Sequence, residues 1–399
     1  MLKSRRDFFE KSIIGFTSFS IAPVFDHVKR LSRIPFLDDK KMIYRTLGKT
    51  GVKLPIVSMG VMNASLPDLI PASYELGVRH FDTAMSYQSG KNEEMIGQQI
   101  KEMGVREKVT IATKIGLPKG IDNYTNEELK KYFITSFDGC LKRLQSDYVD
   151  ILYIHNISDT KSMNIEPIKE ALLELKDKKK VKFIGVSTHK NMSEVLNEAT
   201  VSKFYDVVLT SINFTMSNDK DLLSAIKKAS DSGIGIIAMK TQGGGRWYKD
   251  RSPDNFKGKM NATAVLKWAL RVEGVVTAIP GYTNFDHMTE DFSVAYNLEY
   301  TEEEIEFLKD KNVLYGAAFC RQCEKCLSYC PNKVDIPSLM RTSMYLMQYS
   351  NIYEAKNTLN MIDNGRGISN CIGCDSCKAI CNNRVNIGER IKDLKVLFA

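Results

Sequence analysis

The sequence has little of what marks fibrous, disordered or rod-like chains. Only 11 of its 399 residues are proline and 25 are glycine, while 43% are hydrophobic and 26% are charged. These proportions exclude a collagen-like repeat, a disordered chain and a coiled-coil rod. A chain of this length buries roughly three quarters of its unfolded surface, enough for one large core and a smaller second unit.

A dense basic tract is also missing. The 56 Lys and Arg residues exceed the 48 Asp and Glu residues by eight, and the excess is spread along the chain. The densest run, residues 176–182, is short and is typical of a solvated helix end. We therefore predict that nucleic acid is not a partner.

The apolar run near the N-terminus, residues 13–25, is shorter than the about 20 residues that a membrane span needs. It follows a charged start that contains Arg5 and Arg6, and this combination resembles a twin-arginine export signal. We expect residues 1–40 to be that signal and a linker, which places the protein in the periplasm or cell envelope. It would be cytoplasmic if the paired arginines are fortuitous. No clear cleavage site follows, so membrane attachment through an uncleaved signal stays open.

A glycine-rich dinucleotide fingerprint after the first strand is absent, which disfavours a doubly wound sheet. The middle of the chain instead alternates short β-rich runs with helical patterns. The β-rich runs are continuously apolar, as in a parallel sheet that helices cover on both faces. Eight such units predict an α/β fold, a (β/α)8 TIM barrel. The predicted strands are 54–60, 78–82, 109–114, 148–155, 182–187, 206–212, 234–239 and 275–280. The predicted helices include 93–103, 127–144, 166–178, 192–199, 219–230 and 262–272.

Polar residues end three of these strands. Asp82 ends the second, Lys114 the third and His155 the fourth, and Tyr87 lies in the loop after the second. Catalytic groups of a (β/α)8 barrel come from the carboxyl ends of its strands. The sequence therefore predicts that four protonatable groups meet at one rim.

The chain resembles the aldo-keto reductase family over roughly residues 41–315. The stretches that carry this resemblance are YRTLGKTG at 44–51, GVRHFDTA at 77–84, LKRLQSDYVD at 141–150 and IGVS at 184–187. The resemblance implies that the four rim residues are a catalytic tetrad that acts on a small-molecule carbonyl or alcohol.

The resemblance gives each member of the tetrad a role. Tyr87 protonates the carbonyl oxygen, His155 orients that oxygen, and Asp82 holds Lys114. A free tyrosine has a pKa near 10 and is a poor acid at neutral pH. A nearby ammonium favours the phenolate, so we expect Lys114 to lower the pKa of Tyr87.

The resemblance also implies a nicotinamide cofactor, NADPH or NADH, held by Ser187, Asn213, Met239, Gly281 and Glu290. Several positions depart from the family pattern. Met239 stands where many relatives have an aromatic residue, Thr188 replaces the usual Asn, and Leu209 replaces a Gln. Gly281 and His287 replace cations that commonly hold a 2′-phosphate, and losing such charge-assisted bonds weakens a preference for NADP. The sequence leaves NADPH, NADH and no nicotinamide open.

Cysteine is scarce before residue 319, where Cys140 stands alone and is predicted to be a buried thiol. The other eight form two runs with x2, x2, x3 spacing: Cys320, Cys323, Cys326 and Cys330, then Cys371, Cys374, Cys377 and Cys381. This is the spacing of bacterial ferredoxins, in which the fourth cysteine ligates the other cluster. Two copies predict two [4Fe–4S] clusters, whereas zinc or a disulfide framework does not need this doubled spacing. One cluster is assigned to Cys320, Cys323, Cys326 and Cys381, and the other to Cys371, Cys374, Cys377 and Cys330.

Residues 316–399 resemble a helical two-cluster ferredoxin module, with helical patterns at 336–349 and 352–361. The whole sequence therefore predicts an oxidoreductase whose barrel interconverts a carbonyl and an alcohol, and whose clusters exchange electrons, with a redox partner protein as a further expectation. The alternative is an electron-transfer protein whose barrel is an inactive or partner-docking scaffold. A third interpretation is that the clusters only stabilise the fold of the module. Hydride transfer moves two electrons whereas a cluster passes one, and no flavin motif is visible to bridge them.

Overall fold

A computed structural model describes residues 42–243, 260–310, 319–374 and 376–398. The predicted export signal lies outside these residues, as does the boundary predicted between barrel and module. The strands are β1 Tyr44–Thr46, β2 Lys53–Pro55, β3 Met59–Gly60, β4 His80–Asp82, β5 Thr110–Gly116, β6 Val149–His155, β7 Val181–Thr188, β8 Val207–Ser211, β9 Gly235–Met239 and β10 Val275–Ala278. The helices are α1 Leu69–Leu76, α2 Lys91–Met103, α3 Asn126–Leu144, α4 Thr160–Met163, α5 Glu166–Asp177, α6 Met192–Ser202, α7 Lys220–Asp231, α8 Ala262–Arg271, α9 Phe285–Ser293, α10 Glu302–Lys309, α11 Ile336–Ser343, α12 Ile352–Asn360 and α13 Ile387–Phe398.

Strands β3 to β10 form one parallel sheet in chain order, each hydrogen-bonded to its neighbours along the sequence. The sheet closes where β10 returns to the start: Val57 pairs in parallel with Ala278, and the Ser58 amide donates to the Ala278 carbonyl at 2.8 Å. The (β/α)8 barrel predicted from the apolar runs is confirmed. Its strands are buried on both faces, as β6 shows, where every residue before His155 is buried.

Close packing inside the barrel explains why residue 185 is a glycine. Gly185 on β7 lies against the ring of Tyr153 on β6, and a Cβ atom at this position would collide with that ring. Tyr153 is fully buried and belongs to the central core cluster. A glycine here makes room for a large side chain beneath the rim, so the strand spacing is kept.

The first predicted strand, 54–60, is wrong as a single element. The chain reverses after β1 at Gly51, whose φ of +74° suits glycine, and β2 pairs antiparallel with β1 as a hairpin. Only β3 joins the barrel, where it pairs with β4. Two consecutive short strands with different partners leave one apolar run in the sequence, which is why they look like one strand.

The C-terminal module has a small core of its own. Val334, Leu339, Ile387 and Leu394 are buried together, and several cysteines pack against them. The pattern predicted as one helix at 336–349 is α11 followed by a π-helical turn at Met344–Gln348. Residues 41–399 form one compact unit, so the module packs directly against the barrel. Among the described helices, none is both long and apolar enough to cross a membrane.

Candidate active site

The four residues predicted to meet at one rim do so. Lys114 Nζ donates to Asp82 Oδ1 and, at 2.5 Å, to the Thr83 carbonyl oxygen, and it lies 3.5 Å from Tyr87 Oη. The rings of Tyr87 and His155 are 6.0 Å apart and nearly perpendicular. The strand register explains why the residues converge. Lys114 on β5 lies opposite Tyr153 on β6, and His155 is two residues further along β6. Their catalytic roles stay predictions.

Burial controls the protonation of the site. It lowers the pKa of Lys114 and raises that of Asp82, each group being opposed by the charge of the other. Burial also lowers the pKa of His155 well below 6.5, and the charges of Lys114 and Arg341 lower it further. His155 is therefore a neutral imidazole at neutral pH, with one nitrogen that donates and one that accepts.

The expected lowering of the Tyr87 pKa is not found. Burial raises the pKa of Tyr87 well above 10, and the charges of Asp82 and Glu354 raise it further. Tyr87 is 8% exposed, so removing water from a phenolate outweighs an ammonium 3.5 Å away. Tyr87 thus carries its proton at neutral pH, with Lys114 Nζ 3.5 Å from its oxygen.

Replacing Lys114 with methionine is expected to lower the free energy of unfolding by about 3–5 kcal/mol, because it leaves the Asp82 carboxyl buried without its partner. Both side chains are almost fully buried, at 1% and 2% exposure. Urea unfolding followed by circular dichroism measures the change. The control is Lys182→Met, which removes a half-exposed lysine 2.8 Å from Asp150 and should cost less than about 1 kcal/mol. Equal losses in the two variants would contradict a buried ion pair at the rim.

The C-terminal module covers this rim. Arg341 Nη1 donates to Asn156 Oδ1 at 2.9 Å, directly after His155, and Asn351 Nδ2 donates to Asn63 Oδ1 at 2.9 Å. Lys240, which follows β9, donates to Tyr345 Oη at 3.3 Å. These contacts join three loops of the barrel to α11, the π-helical turn and the start of α12, so the module forms a cap over the tetrad.

The cap brings a further titratable group toward the tetrad. Glu354 on α12 is buried, and its Oε1 atom has no hydrogen-bond partner among the described residues. Burial raises the pKa of Glu354 to about 7, against the lowering effects of Lys240, Arg341 and Lys114. Its charge in turn acts on Tyr87, so the module contributes to the electrostatics of the site.

Sequence reasoning missed Lys240, Arg341, Tyr349 and Glu354. One signal was available, because Lys240 directly follows a strand and therefore had to lie at the rim. The other three residues come from the module, and no local pattern shows that the module folds over the mouth.

The residues predicted to hold a nicotinamide are brought together only in part. A cavity of about 590 Å³ is lined by Asp82, Tyr87, Met239, Gly281 and Tyr349, among others. The predicted Ser187 and Asn213 lie at neighbouring strand ends, but Ser187 Oγ accepts from the Asn156 amide at 2.9 Å. The predicted Glu290 is exposed on α9 and does not line the cavity.

Orphaned polar atoms test whether a nicotinamide fits. Asn213 Nδ2, after β8, and Thr241 Oγ1, after β9, are buried and have no hydrogen-bond partner among the described residues, and Thr241 lines the cavity. One amide donor and one hydroxyl match the carbonyl and NH₂ group of a carboxamide. Asn213, Met239 and Thr241 would hold the nicotinamide end of a cofactor here, and the structure gives no comparable support at Glu290.

The cysteine assignment has a counterpart in the structure. Burial raises the pKa of Cys320 to about 12, and Cys381, Cys326 and Cys323 lie close enough for their charges to add to this rise. The distant Cys381 is thus a neighbour of the first run. Gln322 Nε2 lies 3.2 Å from Cys320 Sγ, and the Asn383 amide lies 3.4 Å from Cys381 Sγ. Such donors stabilise cluster thiolates.

The cysteines of the module are free thiols. All nine cysteines are free of disulfides, and Cys140 is fully buried as predicted. Within the described ranges, no three His, Cys, Asp or Glu side chains gather as a single metal ion requires. A four-iron cube holds its thiolates farther apart than one ion does. The two predicted ligand sets of the eight module cysteines stay predictions.

The barrel is that of the aldo-keto reductases. The holo form of aldo-keto reductase AKR11C1 from Bacillus halodurans superposes with a TM-score of 0.53 at 19% identity, covering 67% of this chain and 96% of that one. Methylglyoxal reductase DkgB of Salmonella typhimurium (strain LT2) is 30% identical over 249 residues, 61% of this chain and 85% of that protein. L-glyceraldehyde 3-phosphate reductase of Escherichia coli O157:H7 is 24% identical over 320 residues, 66% of this chain and 91% of that protein.

Two family models match the chain. The aldo/keto reductase family matches residues 60–264, and a 4Fe-4S dicluster domain matches residues 319–386. The chain belongs to the aldo-keto reductase family, and it is an oxidoreductase with an iron–sulfur domain after its barrel.

Proposed function

We propose that the tetrad interconverts a carbonyl and an alcohol on a small-molecule substrate, and that two [4Fe–4S] clusters in the module exchange electrons with this site. One observation carries the proposal. A second cavity is lined by Cys320 and also by His189 and Lys240, which line the tetrad cavity as well. A predicted cluster ligand thus lines a pocket that shares His189 and Lys240 with the pocket of the tetrad.

The residues of the chain handle the protons of the reaction. Tyr87 is neutral at rest and donates its proton to the carbonyl oxygen, while Lys114 stabilises the phenolate that remains. His155, neutral as well, donates a hydrogen bond to the same oxygen. A bound nicotinamide would supply a hydride, and clusters would supply electrons singly. Reduction of a carbonyl to an alcohol takes two electrons and two protons. A hydride would bring both electrons with the hydrogen on carbon, so that Tyr87 supplies the one remaining proton. Two clusters hold two electrons but no hydrogen, so by that route the second proton, which ends on carbon, would come from solvent.

The cellular setting belongs to the proposal and rests on the sequence of residues 1–40, which resembles a twin-arginine signal. That route exports folded proteins, so clusters and any nicotinamide would be inserted first and the nicotinamide retained. The small-molecule reductases among the relatives support a carbonyl substrate. A redox partner protein outside the cytoplasm would then exchange electrons with the clusters.

Anaerobic purification of the full chain tests the cofactor content. Iron, sulfide, dinucleotide and flavin are counted per chain, and we expect about eight irons and eight sulfides with no flavin. A count of about four irons would contradict two clusters. Native protein without dinucleotide that is active on added NADPH would refute the retained nicotinamide.

A further inference from the structure

The second cavity, between the barrel and the cap, has an unusual charge balance. It is partly open to solvent and is lined by three basic side chains, Lys240, Arg341 and Arg390. No Asp or Glu is among its described lining residues. A pocket lined by basic side chains without a carboxylate favours an anion, because buried charges are stable when they are paired.

Two of the cations lack an acidic partner. Lys240 Nζ donates to Tyr345 Oη and lies 4.4 Å from the centre of that ring, and Arg341 donates to the neutral Asn156. In the described part of the chain, neither side chain forms an ion pair with a carboxylate. Burial and the charges of Arg341 and Lys114 lower the pKa of Lys240 to about 7, against the opposing effect of Glu354. An anion near Lys240 would relieve this repulsion.

A polar atom near these cations is also unsatisfied. His189 lines the cavity and is buried at 9% exposure, and its Nδ1 atom has no hydrogen-bond partner within the described residues. Burial lowers the pKa of His189 well below 6.5, so the ring is neutral and can donate through one nitrogen. A buried ring beside two cations completes a donor set for carboxylate or phosphate oxygens.

The position of this donor set relates it to the tetrad. Lys240 and His189 line both cavities, so the two spaces adjoin. Arg341 holds Asn156, which directly follows His155 in the chain. A ligand whose carbonyl lies at Tyr87 and His155 can therefore extend a charged group toward Lys240 and Arg341.

We propose that Lys240, Arg341 and His189 form a subsite that binds the carboxylate or phosphate of an anionic carbonyl substrate. The inference rests on the proposed function, which places the carbonyl at the tetrad. It makes the cap a specificity element, because Arg341 comes from the iron–sulfur module and Lys240 from the barrel. Substrate selection then requires both parts of the chain.

The competing account is that these cations only balance the negative charge of the cluster that Cys320 helps to hold. Cys320 lines the same cavity, so both effects are physically open to Lys240 and Arg341. A substrate subsite discriminates between charged and neutral carbonyl compounds, whereas charge balance for a cluster does not. Binding and cluster potential therefore have to be measured on the same variants.

The test uses the full chain, purified anaerobically with its clusters, and isothermal titration calorimetry. Pyruvate is compared with neutral butanedione, and glyceraldehyde 3-phosphate with glyceraldehyde, so that the two pairs separate a carboxylate from a phosphate. The variants are Lys240→Met and Arg341→Met. The matched control is Lys119→Met, which removes a lysine that also joins barrel to module, through Asn360, but is exposed and outside the cavity.

We expect at least one anion to bind about tenfold or more tightly than its neutral counterpart, since charge-assisted hydrogen bonds are the strong ones. Each cavity variant should lose about tenfold for that anion and less than about twofold for the neutral compound, and the control should match the wild type. Equal affinity for both members of each pair would overturn the proposal. So would a shifted cluster potential with unchanged anion binding. Anion preference without turnover of any carbonyl would uphold the subsite and refute the proposed function.

Discussion

Replacing Tyr87 with phenylalanine is expected to lower kcat/KM for carbonyl reduction by about 10²–10⁴-fold while the clusters are retained. The phenol is the group that protonates the carbonyl oxygen, and no second hydroxyl lies within hydrogen-bonding distance of Lys114 in the described residues. Turnover is measured with NADPH or a chemical reductant on anaerobically purified protein. Iron content and the cluster absorbance confirm that the variant is intact.

The barrel offers a matched control for this substitution. Tyr153→Phe removes the same hydroxyl from another buried tyrosine beside Lys114, 5.8 Å from the amine to the ring centre. Its Oη atom has no hydrogen-bond partner within the described part of the chain, so its loss should leave turnover near that of the wild type. Full carbonyl reduction in Tyr87→Phe would contradict Tyr87 as the proton donor, and a wild type that reduces no carbonyl while its clusters exchange electrons would favour the electron-transfer protein with an inactive barrel.

Paired cysteine substitutions are expected to change the iron content by a whole cluster, and the pattern identifies the ligand sets. Cys320 and Cys381 are assigned to one cluster, so replacing both with alanine should leave about four irons per chain. Cys377 and Cys381 are assigned to different clusters, so replacing both should leave almost none. Both variants lose two thiols, which makes each the control of the other.

The opposite pattern of iron counts would contradict the exchanged fourth cysteine. If each run held its own cluster, the pair Cys320 and Cys381 would lose all iron and the pair Cys377 and Cys381 would keep about four. If both variants lost all their iron, unfolding could be the cause. Circular dichroism of each variant checks that the barrel is still folded. The proximity of Cys381 to Cys320 supports the exchanged arrangement.

Local patterns sufficed for the barrel. Apolar runs such as 148–155 fill both faces of a parallel strand, so β6 was predicted to within one residue of its start. The rim residues followed from the rule that catalytic groups end the strands, and the contacts of Lys114 bring them together. The prediction of one strand at 54–60 was wrong because β2 and β3 are consecutive in sequence yet pair with different strands.

Long-range features could not be predicted in the same way. Arg341 contacts Asn156 across 185 residues, and Asn351 contacts Asn63 across 288. No periodicity encodes such a separation, because it depends on how two folded parts pack. The predicted lowering of the Tyr87 pKa was wrong for the same reason. The sequence shows the ammonium of Lys114 but not the cap that helps to exclude water from the phenol.

The measurement that tests the account most directly is the reoxidation of reduced clusters by a carbonyl substrate, followed by cluster absorbance in a stopped-flow instrument. The protein is purified anaerobically, reduced chemically and freed of excess reductant before mixing. The account predicts reoxidation that requires the carbonyl, yields the alcohol, and slows in Tyr87→Phe by the factor seen in turnover. Clusters that stay reduced with the carbonyl present, while NADPH supports full turnover, would contradict an exchange of electrons between module and barrel.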